Sequence, residues 1–320
     1  MKWPLRRRPP WDLENEGGGF LPSRTYGFVR GRELEGTYPG PPNVGSWILT
    51  TQRISKGWGS LPNRFWPYDP ADWPPVEPPG LDTVAKAART RCYMRCRTLE
   101  ECRKVLEGGG MVLAAFEIDD SWSASEGLID DPRLHSPQAS HSIVLVDFDP
   151  VEETIGFTHN WGPAWGENGF GRLPYRYWSD RLLEAWIPDE RQAATVEPSR
   201  AYEFIVIKRE APDPWGHTIH LIEVEDRPRD EMMAWAMMRH SSAGLELEEI
   251  FVRPTFRGRG HGRRLADAII ELHDTLDGPL SAWIAHADAA PTAAQDAILR
   301  RLGLGRVPSD ERWAAARALP

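Results

Sequence analysis

The feature that most constrains this chain is a hydrophobic strand that runs into a glycine- and arginine-rich turn and then into an amphipathic helix. The strand pattern "GLELEEIFV" precedes "RPTFRGRGHGRRL", in which glycine recurs at every second position from Gly258 to Gly262. Beyond the turn, apolar residues recur at the three- and four-residue spacing of one helix face: Leu265, Ala268, Ile269 and Leu272. The pattern predicts a strand–turn–helix unit.

This turn has the properties of a phosphate or pyrophosphate site. The first amides of a helix lack intrahelical acceptors, and the helix dipole is positive at that end. Glycines let these amides approach a ligand without obstruction by Cβ, and arginines add positive charge. The predicted anion-binding residues are Arg257, Gly258, Arg259, Gly260, His261, Gly262 and Arg263.

The strand before the turn carries a second signal. Every second residue is apolar up to Leu247, but the pattern slips by one position across Glu248 and Glu249 and resumes at Ile250. A slip of one residue is what a β-bulge produces. The sequence therefore predicts a bulge here, with unpaired backbone groups over residues 250–252 that are able to bind an extended ligand.

Together these residues resemble the GNAT family of acetyl-CoA-dependent N-acetyltransferases, over residues 200–320. The family signature is Arg or Gln, two residues, Gly, one residue, and Gly or Ala; here Arg257, Gly260 and Gly262 occupy those positions. The resemblance implies that amides of the turn hold the pyrophosphate of acetyl-CoA, the donor substrate. It also implies a strand that runs along the pantetheine arm, where one amide polarises the thioester carbonyl. The strand residues are Ile250, Phe251 and Val252.

Catalysis also requires a base that takes a proton from the attacking amine. Glu246, Glu248 and Glu249 are the candidates on the bulged strand. The family often has a tyrosine acid in a Y-x-x-x-GF pattern, but Leu299 takes that position in "LRRLGL". Two family helices that shape the acceptor site are expected to be missing, so we predict a truncated GNAT fold.

A second segment, "HNWGPAWGENGFGRLPYRYW" from His159 onward, resembles papain-like (C1-type) cysteine peptidases, in which a histidine opens a strand and "NSWG-x-x-WG-x-x-GYG" follows one hairpin later. Here His141 opens the strand "HSIVLVDFD". The remaining matches are Trp161, Gly162, Trp165, Gly166, Gly169 and Gly171. Upstream, "GSWILTTQRISK" looks like the middle helix of that family, within a helix predicted from Asn43 to Gly57. A further helix is predicted over about residues 82–91. The resemblance covers about residues 21–190.

The chain departs from the papain-like pattern at the catalytic positions. Neither a cysteine nor a glutamine precedes "LPSRTYG", so the resemblance implies a fold without the helix that carries the nucleophile. An ungapped comparison places His159 where an asparagine orients the catalytic histidine, and Asn160 where a serine stands; a deletion of one residue would instead place Asn160 at the asparagine position. His141, His159 and Asn160 are therefore predicted to be the remnant of a site that has lost its nucleophile. The groove is expected to bind peptides without cutting them.

The three cysteines lie within "CYMRCRTLEEC", at Cys92, Cys96 and Cys102. No second pair and no nearby histidine completes a zinc set, so no metal site is predicted. Thr98 and Glu101 have the spacing of a capping box, which predicts a helix beginning just after Thr98. We therefore expect reduced thiols in or beside a short helix.

Composition sets wider limits. A net charge of −9 argues against broad nucleic-acid binding, and no apolar run approaches the roughly 20 residues of a membrane span. The N-terminus is basic without an apolar h-region, so we expect a cytoplasmic protein. The sequence does not predict the oligomeric state.

We predict an α+β chain of two domains: a basic and glycine-rich tail (1–20), a papain-like domain (21–190), a linker with the first strand (191–208) and a GNAT-like domain with a mixed central sheet (209–320). The leading hypothesis is an N-acetyltransferase that uses acetyl-CoA on an unidentified amine, with a peptide or protein as acceptor and the inactive papain-like domain recognising it. Two alternatives stay open. One is a pseudoenzyme that only binds acyl-CoA and peptide, and the other is a cysteine peptidase completed by a segment of a partner.

Overall fold

The computed structural model describes residues 21–41, 45–69, 71–124, 126–189, 194–195, 205–213, 215–283, 293–306 and 312–315. The chain divides into two compact units, residues 1–189 and residues 190–320. No helix in the described ranges is both long enough and apolar enough to cross a membrane. The tail predicted over residues 1–20 lies outside the described residues.

The first unit places helices beside one antiparallel sheet, whose strand order is β1-β6-β2-β3-β4-β5. Its strands are β1 (Cys92–Arg95), β2 (Val112–Ile118), β3 (Ala139–Asp149), β4 (Thr154–Thr158), β5 (Phe170–Pro174) and β6 (Leu182–Asp189). Its helices are α1 (Arg24–Glu35), α2 (Ile48–Gly57), α3 (Leu81–Ala85), α4 (Leu99–Glu107), α5 (Ser121–Ala124) and α6 (Arg176–Arg181).

The capping box predicted for α4 is present. The Thr98 hydroxyl accepts a hydrogen bond from the backbone N–H of Glu101 at 3.1 Å, and the Glu101 carboxylate accepts one from the N–H of Thr98 at 3.3 Å. Cys102 lies on this helix as predicted. Cys92 instead lies in β1, a strand that the sequence did not predict, and Cys96 follows that strand. All three thiols are buried and free.

Helix α1 was not predicted, although its end signals are present. Ser23 is the N-cap and accepts from the Tyr26 N–H at 3.1 Å, while Gly36 ends the helix in the left-handed conformation. The helix buries Tyr26 and Val29 in a small core that includes Trp66. Helix α2 ends at Gly57 as predicted but begins at Ile48 rather than at Asn43.

The predicted helix over residues 82–91 is shorter than expected. Helix α3 ends at Ala85, and a 3-10 turn, Lys86–Ala88, follows it. Two prolines and a glycine precede the segment, and β1 begins at Cys92, so little chain remains for helical turns. The alternation that marks a strand is hard to recognise in β1, because its four residues are too few to establish a period.

Glu184 of β6 caps helix α2 from across the unit. The N-cap residue of α2, Trp47, makes no side-chain capping hydrogen bond. The Glu184 carboxylate instead accepts from the N–H groups of Ile48 at 2.6 Å and Leu49 at 3.1 Å, and from Nε1 of Trp186 at 2.8 Å. Burial raises the pKa of Glu184, although these hydrogen bonds oppose the shift. A single carboxylate thus fixes α2 on the sheet.

The second unit contains a mixed sheet with strand order β13-β14-β12-β11-β10-β9-β8-β7, in which the β11–β12 pair is parallel. The predicted α+β class with a mixed sheet in the C-terminal part is confirmed. The strands are β7 (Ala194–Thr195), β8 (Ile205–Pro212), β9 (Thr218–Asp226), β10 (Glu231–Ser241), β11 (Gly244–Val252), β12 (Leu280–Trp283), β13 (Leu304–Arg306) and β14 (Arg312–Ala315).

Two helices cover one face of this sheet, α7 (His261–His273) and α8 (Ala293–Arg301). The apolar face predicted for α7 is buried in a core with residues of β9, β10 and β11 and with Leu299 of α8. The strand predicted as "GLELEEIFV" is β11, over the predicted residues. The core positions on β9–β11 are Ile222, Val224, Ala234, Ala236, Met238, Leu245 and Leu247.

We expect Glu184→Ala to lower the free energy of unfolding by about 1–2 kcal/mol, because two N–H groups of α2 lose their acceptor. Urea denaturation measures this change. Glu107→Ala is the matched control, since Glu107 forms an exposed ion pair with Arg103 on α4 and its loss should change stability by no more than about 0.5 kcal/mol. Equal effects of both substitutions would contradict the capping role.

Candidate functional site

The predicted bulge is present in β11. Met237 pairs with Glu249 and the next residue of β10, Met238, pairs with Leu247, so Glu248 is the extra residue. The bulge reverses the faces of the residues that follow it. As a result Ile250 lies on the α7 side, where it packs against the core.

Residues 250–252 of β11 pair with β10 along one edge, so the predicted unpaired groups do not occur on that side. Toward β12, the pairs within the described residues join Leu245, Glu246 and Leu247 to β12. A strand edge offers backbone N–H and C=O groups to an extended ligand wherever no neighbouring strand takes them.

The glycine turn lies directly after this strand. A short 3-10 turn, Pro254–Phe256, leads into Gly258 and Gly260, whose φ angles are +75° and +83°. Only glycine adopts this left-handed conformation readily. No atom lies within 4 Å of the position where a Cβ would stand at either glycine, so their outer side is open. Gly260 is the N-cap of α7, which begins at His261.

The basic residues of the turn surround its aromatic residue. The guanidinium groups of Arg253 and Arg259 lie over the Phe256 ring, 5.5 and 5.4 Å from its centroid. Nε of Arg257 donates to the carbonyl oxygen of Val252 at 3.2 Å and so ties the turn to the strand end. Arg257, Arg259 and Arg263 are exposed. The turn thus combines the backbone N–H groups of a helix N-terminus with the positive charge of exposed arginine side chains. This combination suits the binding of a diphosphate.

His261, the first residue of α7, is buried and lies edge-on to Phe256 with ring centroids 6.3 Å apart. Burial lowers the pKa of His261, and the positive charges of Arg264 and Arg259 lower it further. The predicted turn residue therefore contributes its backbone N–H at the helix end, while its imidazole packs inward.

The three glutamates predicted as candidate bases differ in their surroundings. Glu248 is 3% exposed in its side chain and forms an ion pair with Nε of Arg239 at 2.8 Å. Glu249 is also buried, and Glu246 is partly exposed. Leu299 is buried in the core, so the position where the family often has a tyrosine holds no hydroxyl.

A cleft of about 880 Å³ opens in the first unit. The start of α1, helix α2, β3 and β6 line it, largely with small residues. Of the predicted remnant residues, His141 and Asn160 line this cleft and His159 does not. Among the other lining residues are Gly27, Gly59, Ser60, Ala115, Ser140 and Ser142.

The partner of His141 is Asn160 and not His159, which corrects the ungapped comparison. Burial lowers the pKa of His141, and a side-chain hydrogen bond with Asn160 opposes this shift by stabilising the protonated ring. The amide thus lies one residue later than the family spacing predicted. The sequence contained a signal for this assignment, because Asn160 directly precedes the Trp-Gly pair at Trp161. Using that signal requires a deletion of one residue in the alignment with the family pattern.

His159 is a buried packing residue. It is 1% exposed, stacks on His141 with ring centroids 4.7 Å apart and lies 4.3 Å from the Trp165 ring. Its Nδ1 accepts a hydrogen bond from the Trp161 N–H at 3.1 Å, so the neutral ring carries its proton on Nε2. Burial, followed by repulsion from His141, lowers the pKa of His159 to about 4.

We expect His159 to make the protein less stable in acid. Its pKa falls from 6.5 in the unfolded chain to about 4 in the folded chain, so the folded state binds the proton less tightly. Its contribution to the free energy of unfolding is therefore complete above pH 6.5. This contribution is lost as the pH falls toward 4, by on the order of 2–3 kcal/mol. Urea unfolding between pH 4 and 7 should show a weaker pH dependence for His159→Phe than for the wild type.

The control for this measurement is His135→Gln, because His135 is exposed and pairs with exposed Asp130. This variant should retain the wild-type pH dependence. An unchanged slope in His159→Phe would show that His159 does not resist protonation.

Comparisons with known proteins match the chain to two different families. Residues 179–303 match the model of the Acetyltransferase (GNAT) family, a match that begins within the first unit. An uncharacterized peptidase C1-like protein of Acanthamoeba polyphaga mimivirus is 25% identical over 187 residues, which are 53% of this chain. The chain spans 60% of the length of that relative.

Solved structures similar to the chain include cysteine proteases. Xylellain from Xylella fastidiosa aligns over 56% of this chain and 74% of its own, with 20% identity and a TM-score of 0.48. Procathepsin L 3 of Tenebrio molitor aligns over 54% of this chain and 56% of its own, with 16% identity and a TM-score of 0.42. Both resemblances predicted from the sequence are confirmed as matches: the GNAT family model to residues 179–303, and a C1-like relative at 25% identity. The chain carries a GNAT-family domain in its C-terminal part, preceded by a half that is similar to C1-like peptidases.

Proposed function

We propose that this protein is an N-acetyltransferase that transfers the acetyl group of acetyl-CoA to the amine of a peptide or protein. The observation that carries the proposal is the continuity of one element: a bulged strand runs into a left-handed glycine turn at the N-terminus of α7. A strand edge suits an extended acyl-pantetheine arm, and the helix N-terminus suits a diphosphate.

The donor would be held by main-chain groups. The amides of residues 257–263 are placed to bind the diphosphate, with Arg257, Arg259 and Arg263 adding charge. The backbone of residues 250–252 would run beside the pantetheine arm. An N–H group of this strand would donate to the thioester carbonyl oxygen and stabilise the negative charge that develops on it.

The reaction is a direct acyl transfer. The neutral amine attacks the carbonyl carbon, a C–N bond forms, the C–S bond breaks, and CoA leaves as a thiolate that then takes up a proton. The amine proton would pass to a carboxylate, directly or through water. Glu249 and Glu246 are our candidates for this base. Glu248, the third candidate, would have to accept this proton while paired with Arg239.

The papain-like half would recognise the acceptor without cleaving it. Its cleft of about 880 Å³ falls within the usual range for ligand sites, about 300–1,000 Å³. None of the cysteines in the described residues lines this cleft, so no thiol stands beside His141 there. The small lining residues leave room for a peptide backbone, and His141 and Asn160 offer polar contacts.

We expect calorimetry to detect binding of acetyl-CoA to the wild-type protein. Gly260→Ala should weaken this binding at least about tenfold, because a Cβ strains the left-handed turn by roughly 1–2 kcal/mol and obstructs the approach of the ligand to the backbone amides. Gly303→Ala is the matched control, since Gly303 has φ +71° and open space around its Cβ position but lies after α8. With an amine-bearing peptide library, release of CoA should exceed hydrolysis without acceptor.

The outcomes separate the hypotheses. No heat with acetyl-CoA would refute the donor assignment. Binding without CoA release above the rate of hydrolysis would favour a pseudoenzyme that binds acyl-CoA and peptide. Equal losses of acetyl-CoA affinity in Gly260→Ala and Gly303→Ala would show that the glycine turn is not part of the donor site.

A second candidate function, a cysteine peptidase completed by a separate segment, is favoured by one observation: the His141–Asn160 pair faces the large cleft. A cysteine supplied there would stand beside a base. A thiol-directed peptidase probe distinguishes this function. We expect the purified protein to remain unlabelled at Cys92, Cys96 and Cys102, which are buried. Labelling that also blocks proteolysis would support the peptidase.

A further inference from the structure

A buried ion pair joins the two strands at the bulge. Nε of Arg239, on β10, lies 2.8 Å from Oε1 of Glu248, and the two side chains are 5% and 3% exposed. Glu248 is the residue that the bulge adds to β11. A buried carboxylate is tolerated when a charged partner compensates its loss of water, so the position of Arg239 determines whether Glu248 can remain inside.

The loop between β8 and β9 holds Arg239 in place. The Arg239 guanidinium lies over the Trp215 ring, 4.7 Å from its centroid, and its Nε is 3.7 Å from Oδ2 of Asp213. Asp213 in turn organises the loop, because its Oδ1 accepts from the N–H groups of Trp215 at 2.9 Å and His217 at 2.7 Å. Its Oδ2 lies 3.0 Å from Nδ1 of His217. The contacts thus run from the loop through Arg239 to the bulge.

The bulge decides which side of the sheet each later residue of β11 faces. With Glu248 as the extra residue, Ile250 and Val252 lie on the α7 side and pack against the core, while Phe251 faces away and contacts Trp235 with ring centroids 4.8 Å apart. In a regular strand without the bulge, these residues would change sides. The register of residues 250–252 therefore depends on where Glu248 is held.

We propose that Arg239 is a positioning residue that sets the register of residues 250–252 through Glu248, and so aligns the strand edge along which the acyl-pantetheine arm binds. This inference rests on the proposed function, since it assumes that acetyl-CoA is the donor. Arg239 acts through Glu248 and does not touch the ligand. The glycine turn has its own backbone geometry and does not depend on this ion pair.

The experiment compares two ligands that reach different parts of the site. Acetyl-CoA spans the strand and the turn, whereas adenosine 3′,5′-bisphosphate carries the nucleotide end without the pantetheine arm. We expect Arg239→Lys and Glu248→Gln to weaken acetyl-CoA about tenfold and the bisphosphate less than about twofold, measured by calorimetry. The matched control is Arg229→Lys, since Arg229 pairs with Asp226 at 2.7 Å but is mostly exposed and lies between β9 and β10. It should bind both ligands as the wild type does.

A double variant separates positioning from stability. Replacing one member of a buried ion pair strongly destabilises a protein because the other charge is left uncompensated, whereas replacing both by apolar residues is often neutral. Arg239→Met combined with Glu248→Met should therefore unfold near the wild-type temperature and still bind acetyl-CoA about tenfold more weakly than the wild type. The amides of residues 250–252 should also exchange hydrogen faster in this variant.

Each other outcome is decisive. Wild-type affinity for acetyl-CoA in the double variant would overturn the positioning role. Equal losses for both ligands, or losses that follow the amount of folded protein, would show that Arg239 is merely structural. A wild-type protein that binds the bisphosphate but not acetyl-CoA would refute the strand as the arm site. One that binds neither would remove the proposed function together with this inference.

Discussion

The second unit depends on the rule that inserting one residue into a β-strand reverses the faces of all residues after it. In β11 the inserted residue is Glu248, a carboxylate kept inside the protein by Arg239. Before it, Leu247 faces the core; after it, Ile250 does so, although the spacing is odd. The inward packing of Ile250 and Val252 and the outward position of Phe251 therefore both arise from one local irregularity.

Local patterns in the sequence were sufficient to predict this element. The slip in apolar spacing located the bulge, and alternating glycines located the turn that ends at Gly260. The capping box at Thr98 was equally local. What could not be predicted was the partner of the buried charge, because Arg239 and Glu248 are on different strands and nothing in their spacing links them. Recognising Glu248 as one member of an ion pair required the strand register.

The first unit shows where family spacing misleads. His159 and Asn160 are adjacent. Comparison without a gap placed His159 at the position of the orienting asparagine and Asn160 at the position of a serine. In the structure one ring is buried among aromatic residues with its pKa lowered to about 4, and the neighbouring amide serves His141 in the cleft. Helix α1 was missed for a different reason. Its apolar residues form only a narrow stripe, and its buried positions include Thr25 and Arg32, which periodicity does not mark as core.

Strand β6 has a consequence for how the chain folds during synthesis. It is the last strand of the first unit in sequence but lies in the interior of the sheet, between β1 and β2. A ribosome releases β1 to β5 first, yet β1 has no neighbour in the sheet until Asp189 has emerged. The sheet of the first unit is therefore expected to form late. Helix α2 gains its capping carboxylate, that of Glu184, only when β6 has been synthesised. Only β6 emerges out of its spatial order, so β1 and one edge of β2 have no strand partner until β6 has been synthesised, and unpaired strand edges of this kind favour association with other chains.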